Sequence, residues 1–283
     1  MSVKLICDSA CDMTQQEARE LGVIILPLKT TIDGVEYQDG VTITTEEFYA
    51  KLETCKDLPT TSQLSPAEFA ELLGPIVAAG DEAVVITLAG KLSGTVQSAT
   101  IAAEDVGGSV FVVDSGNATI GENILLRYAV RLRDQGLTGR EITENLEQAK
   151  KRICLLARVD TLEYLMRGGR LSKTAAFAGT LLNIKPVISG ADGEIHVLGK
   201  ARGSKQSDNM LTEFIVKAGG IDFSMPVMLA YSGTDDALLK GYIENSRALW
   251  EGHLNDLPIT MIGSTISTHA GPGAIAVAFF AKT

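Results

Sequence analysis

Cysteine is scarce in this sequence and poorly placed for chemistry. The four cysteines, Cys7, Cys11, Cys55 and Cys154, fit no zinc or redox spacing. A chain of 283 residues has core enough to do without a disulfide framework. They read as small core or surface residues. Long apolar runs are missing as well, and nothing approaches the ~18 residues that span a bilayer. The run Val3 to Cys7 is short, ends in acids and reads as a first strand, not a targeting segment. The expected location is therefore cytoplasmic. Basic charge is in deficit, with a formal net charge of −10. The strongest basic cluster, Lys200, Arg202 and Lys205, is too small to make a nucleic-acid-binding face. That balance also gives an anionic ligand no long-range attraction, so local donors must hold one. There is no internal repeat, no low-complexity tract and no Gly-x-Gly-x-x-Gly after the first strand.

What is present is ordinary globular material, 45% hydrophobic and 21% charged, long enough for two domains or one large α/β unit. The first half alternates. Val3–Cys7, Val23–Thr31, Ala83–Leu88 and Ser109–Val113 read as strands. Between and after them, helices are expected over Met13–Leu21, from Thr44 or Thr45 to Glu53, from Ser65-Pro66, over Ser93–Glu104, Gly121–Gln135 and Thr138–Lys151. Ser65 suits an N-cap and Pro66 the first helical position. This alternation predicts a parallel sheet covered on both faces. The pattern changes near Cys154. Asn183–Ser189 and Glu194–Lys200, joined by Ala191-Asp192-Gly193, read as a hairpin. Further strands are expected at Pro226–Tyr231, Ile259–Gly263 and Ala274–Phe280, with helices over Lys205–Ala218 and Asp235–Leu249. The second half is thus expected to carry a mixed or antiparallel sheet.

Five segments cluster hydroxyls, glycines or charge where a ligand could sit. Asp8-Ser9-Ala10-Cys11-Asp12 follows the first strand, where open α/β sheets bind ligands, although a helix cap by Asp12 or Thr14 is the commoner use of such residues there. Pro59-Thr60-Thr61-Ser62-Gln63 reads as a polar loop, solvated unless something recruits it. Gly90-Lys91-Leu92-Ser93-Gly94-Thr95 places Ser93 at a helix N-terminus, where N–H groups favour an anion, and Gly94 permits close backbone approach. It has neither the spacing of a P-loop nor a Gly-x-Ser-x-Gly elbow. Leu162 to Ser172 reads as a short helix closed by Gly168 in a left-handed cap, with Arg170 on the exit loop, where a solvated guanidinium is the default. Ser267-Thr268-His269-Ala270-Gly271-Pro272-Gly273 puts His269 in a glycine-rich turn.

Each segment alone is weak, but their order is specific: from Asp8 to Gly273 they resemble the DegV family of lipid-binding proteins. The resemblance rests on Asp8-Ser9-x-x-Asp12, Thr61-Ser62-Gln63, Leu92-Ser93-Gly94-Thr95, Leu162-Glu163-Tyr164-Leu165-x-x-Gly168-Gly169-Arg170-Leu171-Ser172 and Thr268-His269-x-Gly271-Pro272-Gly273. It implies an α/β protein with a Rossmann-like domain over 1–155 bearing a parallel sheet. An α+β domain over 156–283 would carry a mainly antiparallel sheet, with a long-chain fatty acid such as palmitate between the two. The family presents that acyl group to a separate fatty acid kinase, so the chain itself would be no enzyme and would need no metal or cofactor. Carried over, Thr61 and Ser93 would hold the carboxylate with His269 nearby. Ser62 and Thr95 would join them, Gly94 and Gly271 would bring the backbone close, and Arg170 would stand near the mouth. The chain departs from the family in having Leu88-Ala89 where Ser-Ser is frequent and Val96 where an aromatic is frequent, which bears on the shape around the head group.

The physics suits such a site. Each methylene leaving water gains about 0.8 kcal/mol, so a long tail gains on the order of 10 kcal/mol before association costs. A buried unpaired carboxylate opposes this strongly, and hydroxyl and N–H donors offset that opposition. Two other readings compete. A hydrolase or phosphotransferase using Ser93 with His269 would need an orienting acid, and none is visible. A sugar- or nucleotide-binding module would need the glycine fingerprint that is missing.

Overall fold

The computed structural model describes residues 2–171, 183–254 and 256–282. Strands β1 (Val3–Asp8), β2 (Val23–Leu26), β6 (Glu82–Thr87) and β7 (Val110–Asp114) form a parallel sheet in the order β2-β1-β6-β7. Their apolar runs are continuous because helices cover both faces. Strands β3 (Lys29–Ile32), β4 (Val35–Gln38) and β5 (Thr60–Ser62) make a small antiparallel sheet with β3 central. Strands β8 (Ile153–Arg158), β9 (Ile184–Ser189), β10 (His196–Arg202), β11 (Met228–Tyr231), β12 (Ile259–Met261) and β13 (Ile275–Phe280) form the third sheet, ordered β10-β9-β8-β13-β11-β12. All its pairings are antiparallel except β11 with β12.

Helices α1 (Gln15–Leu21), α2 (Thr45–Leu52), α3 (Pro66–Ala78) and α6 (Gly139–Ala149) start alike. Thr14, Thr44, Ser65 and Thr138 each accept the N–H of a glutamate three residues on, whose carboxylate reaches back to the cap. Such caps stabilise a helix by about 1 kcal/mol each. The other helices are α4 (Thr95–Val106), α5 (Ile120–Asp134), α7 (Glu163–Arg167), α8 (Ser204–Lys217), α9 (Ala237–Asn245) and α10 (Ser264–Ala270).

Helix α5 joins the two larger sheets. Ten of its fifteen residues are buried, as a helix covered on both sides requires. Leu125, Leu126 and Ala129 pack with Leu5 and Val84 of the parallel sheet, while Ile120 and Ile124 pack with Leu155, Ala276 and Phe280 of the antiparallel one. Strand β13 alternates accordingly. Ala276, Ala278 and Phe280 face α5, and Ile275, Val277 and Phe279 face Leu211 and Ile215 of α8 and Leu239 of α9.

Several expected elements differ. The strand expected over Val23–Thr31 is two, because Pro27 lacks the N–H a ladder needs and the chain there leaves the parallel sheet for the small one. The polar loop at Thr60-Thr61-Ser62 is β5, and Ile153–Arg158 is a strand that the change of pattern near Cys154 concealed. The 155/156 division falls inside that strand, which pairs only with β9 and β13 of the antiparallel sheet. Gly168 does not take the left-handed cap: its φ is −72°, and Gly169 takes +73° instead. Ser172 lies outside the described residues. No disulfide links the cysteines, of which Cys7 and Cys11 are buried.

Candidate functional site: a hydroxyl-headed apolar cavity

Between the parallel and antiparallel sheets lies a cavity of about 390 Å³, within the ordinary range for small-molecule sites. Its apolar wall comes from three directions. Leu88 and Leu92 follow the carboxyl end of β6, Leu155, Ala157 and Ala276 come from the antiparallel sheet, and Ile262 and Ile266 lead into and lie on α10. Polar groups are few. Thr61, Ser62, Gln63, Ser93, Thr119, Thr265, His269 and Arg170 line it.

Pairing places Thr61. It stands opposite Thr30 on β3, and its Oγ1 lies 2.8 Å from Nε2 of His269. His269 is not in a glycine-rich turn, as expected, but on α10, near the end of a helix the sequence reading missed. Burial, and then the charge of Arg170, push its imidazole down to about 4, so the ring is neutral at pH 7.

Ser93 precedes the helix it was expected to begin: α4 starts at Thr95, with Gly94 as the cap residue. Its Oγ lies 2.9 Å from the Thr95 hydroxyl and accepts the Thr95 N–H at 3.3 Å. Thr95 is fully buried and does not reach the cavity surface, so it orders Ser93 from behind. Gly94 lines the cavity, but the close approach it permits is by Gln63, whose Cδ would lie 2.8 Å from a Cβ there. Gly271 is away from the cavity. A Cβ on it would meet the Tyr164 ring, with Cε2 at 2.6 Å, and its φ of +70° suits glycine. Arg170 is no solvated arginine. Its Nε donates to the Leu92 carbonyl at 3.1 Å and its Nη1 to the Gly168 carbonyl at 2.6 Å, tying the β6–α4 loop to the α7 exit.

The Asp8 to Asp12 segment does not line the cavity; it holds α10 in place. Asp8 accepts the N–H groups of Ala10 and Leu88, and burial pushes its carboxyl up to about 7. Asp12 accepts the Gly263 N–H at 2.9 Å, and burial holds its carboxyl well above the usual range. Asp39 accepts from Ser9 Oγ at 3.1 Å, Ser264 Oγ at 2.7 Å, and the N–H groups of Ser264 at 3.0 Å and Thr265 at 3.3 Å. Thr30 and Tyr49 add hydroxyl contacts to Ser264 and Ser267. One face of α10 is thereby bolted to the first half of the chain, and the other presents Ile266, His269 and Ala270 to the cavity. Ile266 and Ala270, four residues apart, are the only trace of this helix in the apolar pattern, too short a run to reveal it.

The structure shows no hydrogen bond between Ser93 and His269: one engages Thr95 and the other Thr61. Among the described residues there is no cluster of three or more metal-ligating side chains and no helix long and apolar enough to cross a membrane.

The arrangement defines an α/β protein with a largely apolar cavity whose few polar lining groups are mostly neutral. The chain belongs to the DegV family: the family model described as "Uncharacterised protein, DegV family" matches residues 2–282. A DegV domain-containing protein of Caldanaerobacter subterraneus is 35% identical over 99% of both chains, and one of Deinococcus radiodurans is 33% identical over 98% of both. Among solved structures, a Thermus thermophilus DegV protein described by its fatty acid binding is 31% identical, covering 99% of this chain and 100% of its own, at a TM-score of 0.88. A stearic acid-binding protein from Eubacterium ventriosum is 27% identical over 98% of this chain and 97% of its own, at 0.86.

Proposed function

We propose that this chain binds a long-chain fatty acid, such as palmitate, with its tail in the cavity and its carboxylate at the Thr61, Ser93 and His269 end. Ser62 sits beside that cluster, and the Thr95 and Gly94 backbone shapes it. The observation that carries the reading is the composition of the lining: mostly aliphatic walls with a few hydroxyls, among them Thr61, Ser62 and Ser93, and the Thr61–His269 pair at 2.8 Å. Solved relatives described as fatty-acid-binding support it. A charged amine anchor would fix the carboxylate more firmly than hydroxyls do. Hydroxyls leave it weakly shielded, which suits later transfer of a phosphoryl group to it.

Two lobes, one built on the parallel sheet and one on the antiparallel sheet that includes β8, enclose the ligand in this proposal. The chain is a carrier with no chemistry of its own, acting in the cytoplasm and presenting the acyl group to a separate fatty acid kinase, with Arg170 at the mouth that partner approaches. Mass spectrometry of an organic extract of purified protein tests the binding. A long-chain fatty acid at near-stoichiometric amount is expected from the wild type and little from Ser93→Ala. Equal lipid in both would remove the carboxylate anchor from the proposal, and a nucleotide or sugar in place of lipid would end it.

A further inference from the structure

We propose that the cavity holds a second polar station, Thr119 with Thr265, which takes a hydroxyl group carried on the acyl chain. This rests on the binding reading above and narrows its ligand to a hydroxy fatty acid. Of the hydroxyls that line the cavity, Thr61 and Ser93 are engaged by His269 and Thr95. Thr119 and Thr265 are different. Both line the cavity, both are more than nine-tenths buried (7% and 4% exposed), and neither Oγ1 has a hydrogen-bond partner among the described residues. A buried hydroxyl left unpaired is costly, so each calls for a partner.

Two features turn Thr119 away from its own helix. It is the N-cap of α5, where a threonine oxygen ordinarily accepts an N–H of the first turn. Thr14, Thr44, Ser65 and Thr138 do so in this chain, and Thr119 makes no such bond. Its backbone, with φ 49° and ψ −134°, is open to glycine and strained for a β-branched residue. Glycine would relieve that strain and lose the hydroxyl. Thr265 lies four residues before His269 on α10, and both line the cavity. The station therefore stands one helical turn, about 6 Å along the axis, from the head-group end. Asp12 links the two threonines. It accepts the Gly263 N–H, two residues before Thr265, and the Thr119 hydroxyl is close enough to its carboxyl to favour the charged form against the burial that opposes it.

The surroundings select the group. A second carboxylate on the chain would meet the like charge of Asp12, Asp39 and Asp8. An ammonium would be stripped of water in an apolar cavity that none of those three carboxylates lines. A methylene leaves both threonines unpaired. A hydroxyl can accept from one and donate to the other. Thr119 and Thr265 then discriminate against a plain chain through their own unmet hydrogen bonds.

The test is equilibrium binding to the delipidated protein, comparing palmitate with a positional series of monohydroxypalmitates. One member should bind about ten-fold more tightly than palmitate, the scale of one buried hydrogen bond. Thr119→Val combined with Thr265→Val keeps the side-chain shape and removes both hydroxyls, and it should reverse that order. The single variants read the same ratio if the pair does not fold. Palmitate bound as tightly as every member of the series, or a ratio unchanged in the valine variants, overturns the inference, with water satisfying the threonines instead, and leaves fatty acid binding standing. Binding of neither kind of acid overturns both readings.

Discussion

Removing the Asp39 carboxylate should unlock α10. In Asp39→Ala four donors lose their acceptor: Ser9 Oγ, Ser264 Oγ, and the N–H groups of Ser264 and Thr265. The hydroxyls can turn elsewhere, and Ser264 already has Thr30 Oγ1 at 3.2 Å. The two N–H groups cannot, since they open the first turn of α10 in a buried setting. An orphaned buried donor costs about 1–3 kcal/mol. Relief of the repulsion that Asp39 exerts on Asp12 offsets part of this. A net loss of about 3 kcal/mol is therefore expected. Asp39→Asn keeps one acceptor oxygen but turns an amide toward the remaining donors, so it should lose about half as much. Urea unfolding followed by far-UV circular dichroism, extrapolated linearly to water, measures both. Since α10 carries His269, palmitate binding should weaken alongside. A loss below ~1 kcal/mol for Asp39→Ala would show that the clamp is dispensable and refute the reasoning.

Filling the cavity should act on the ligand more than on the fold. Ala157 lines it, and Ala157→Phe should shorten the acyl chains recovered by mass spectrometry or lower palmitate affinity more than ten-fold; unchanged chain length and affinity would mean that the tail lies elsewhere. The depressed imidazole of His269 has a signed pH consequence. Its folded value of about 4 lies below the ordinary 6.5, so its contribution to stability is full above pH 6.5 and is lost as pH falls toward 4. The difference in unfolding free energy between wild type and His269→Gln should therefore shrink over that window, by up to about 3 kcal/mol. A difference independent of pH would contradict the buried, neutral ring.

Local chemistry was legible where a few neighbouring residues decide the outcome. The N-caps at Thr44 and Ser65, the buried run at Ala83, the hairpin at Asp192-Gly193 and the alternation of the first half all stand close to where the letters put them. The misreadings share a cause. Thr60-Thr61-Ser62 is too polar to read as a strand and becomes one because β3 offers it a free edge. Helix α10 is too short for its period to stand out among glycines, and its first turn is satisfied by Asp12 and Asp39, more than 220 residues away.

The letters by themselves determined the capped helix starts at Thr44, Ser65 and Thr138, the buried parallel strands and the candidate hydroxyls, because caps, periodicity and turn residues act over three or four positions. Folding in three dimensions decided which of those hydroxyls meet, that Gly271 serves Tyr164 rather than a ligand, and that the opening aspartates position a helix instead of touching the cavity. Those outcomes depend on groups far apart in the chain sharing one desolvated space. A buried polar atom must find its partner wherever the fold brings one.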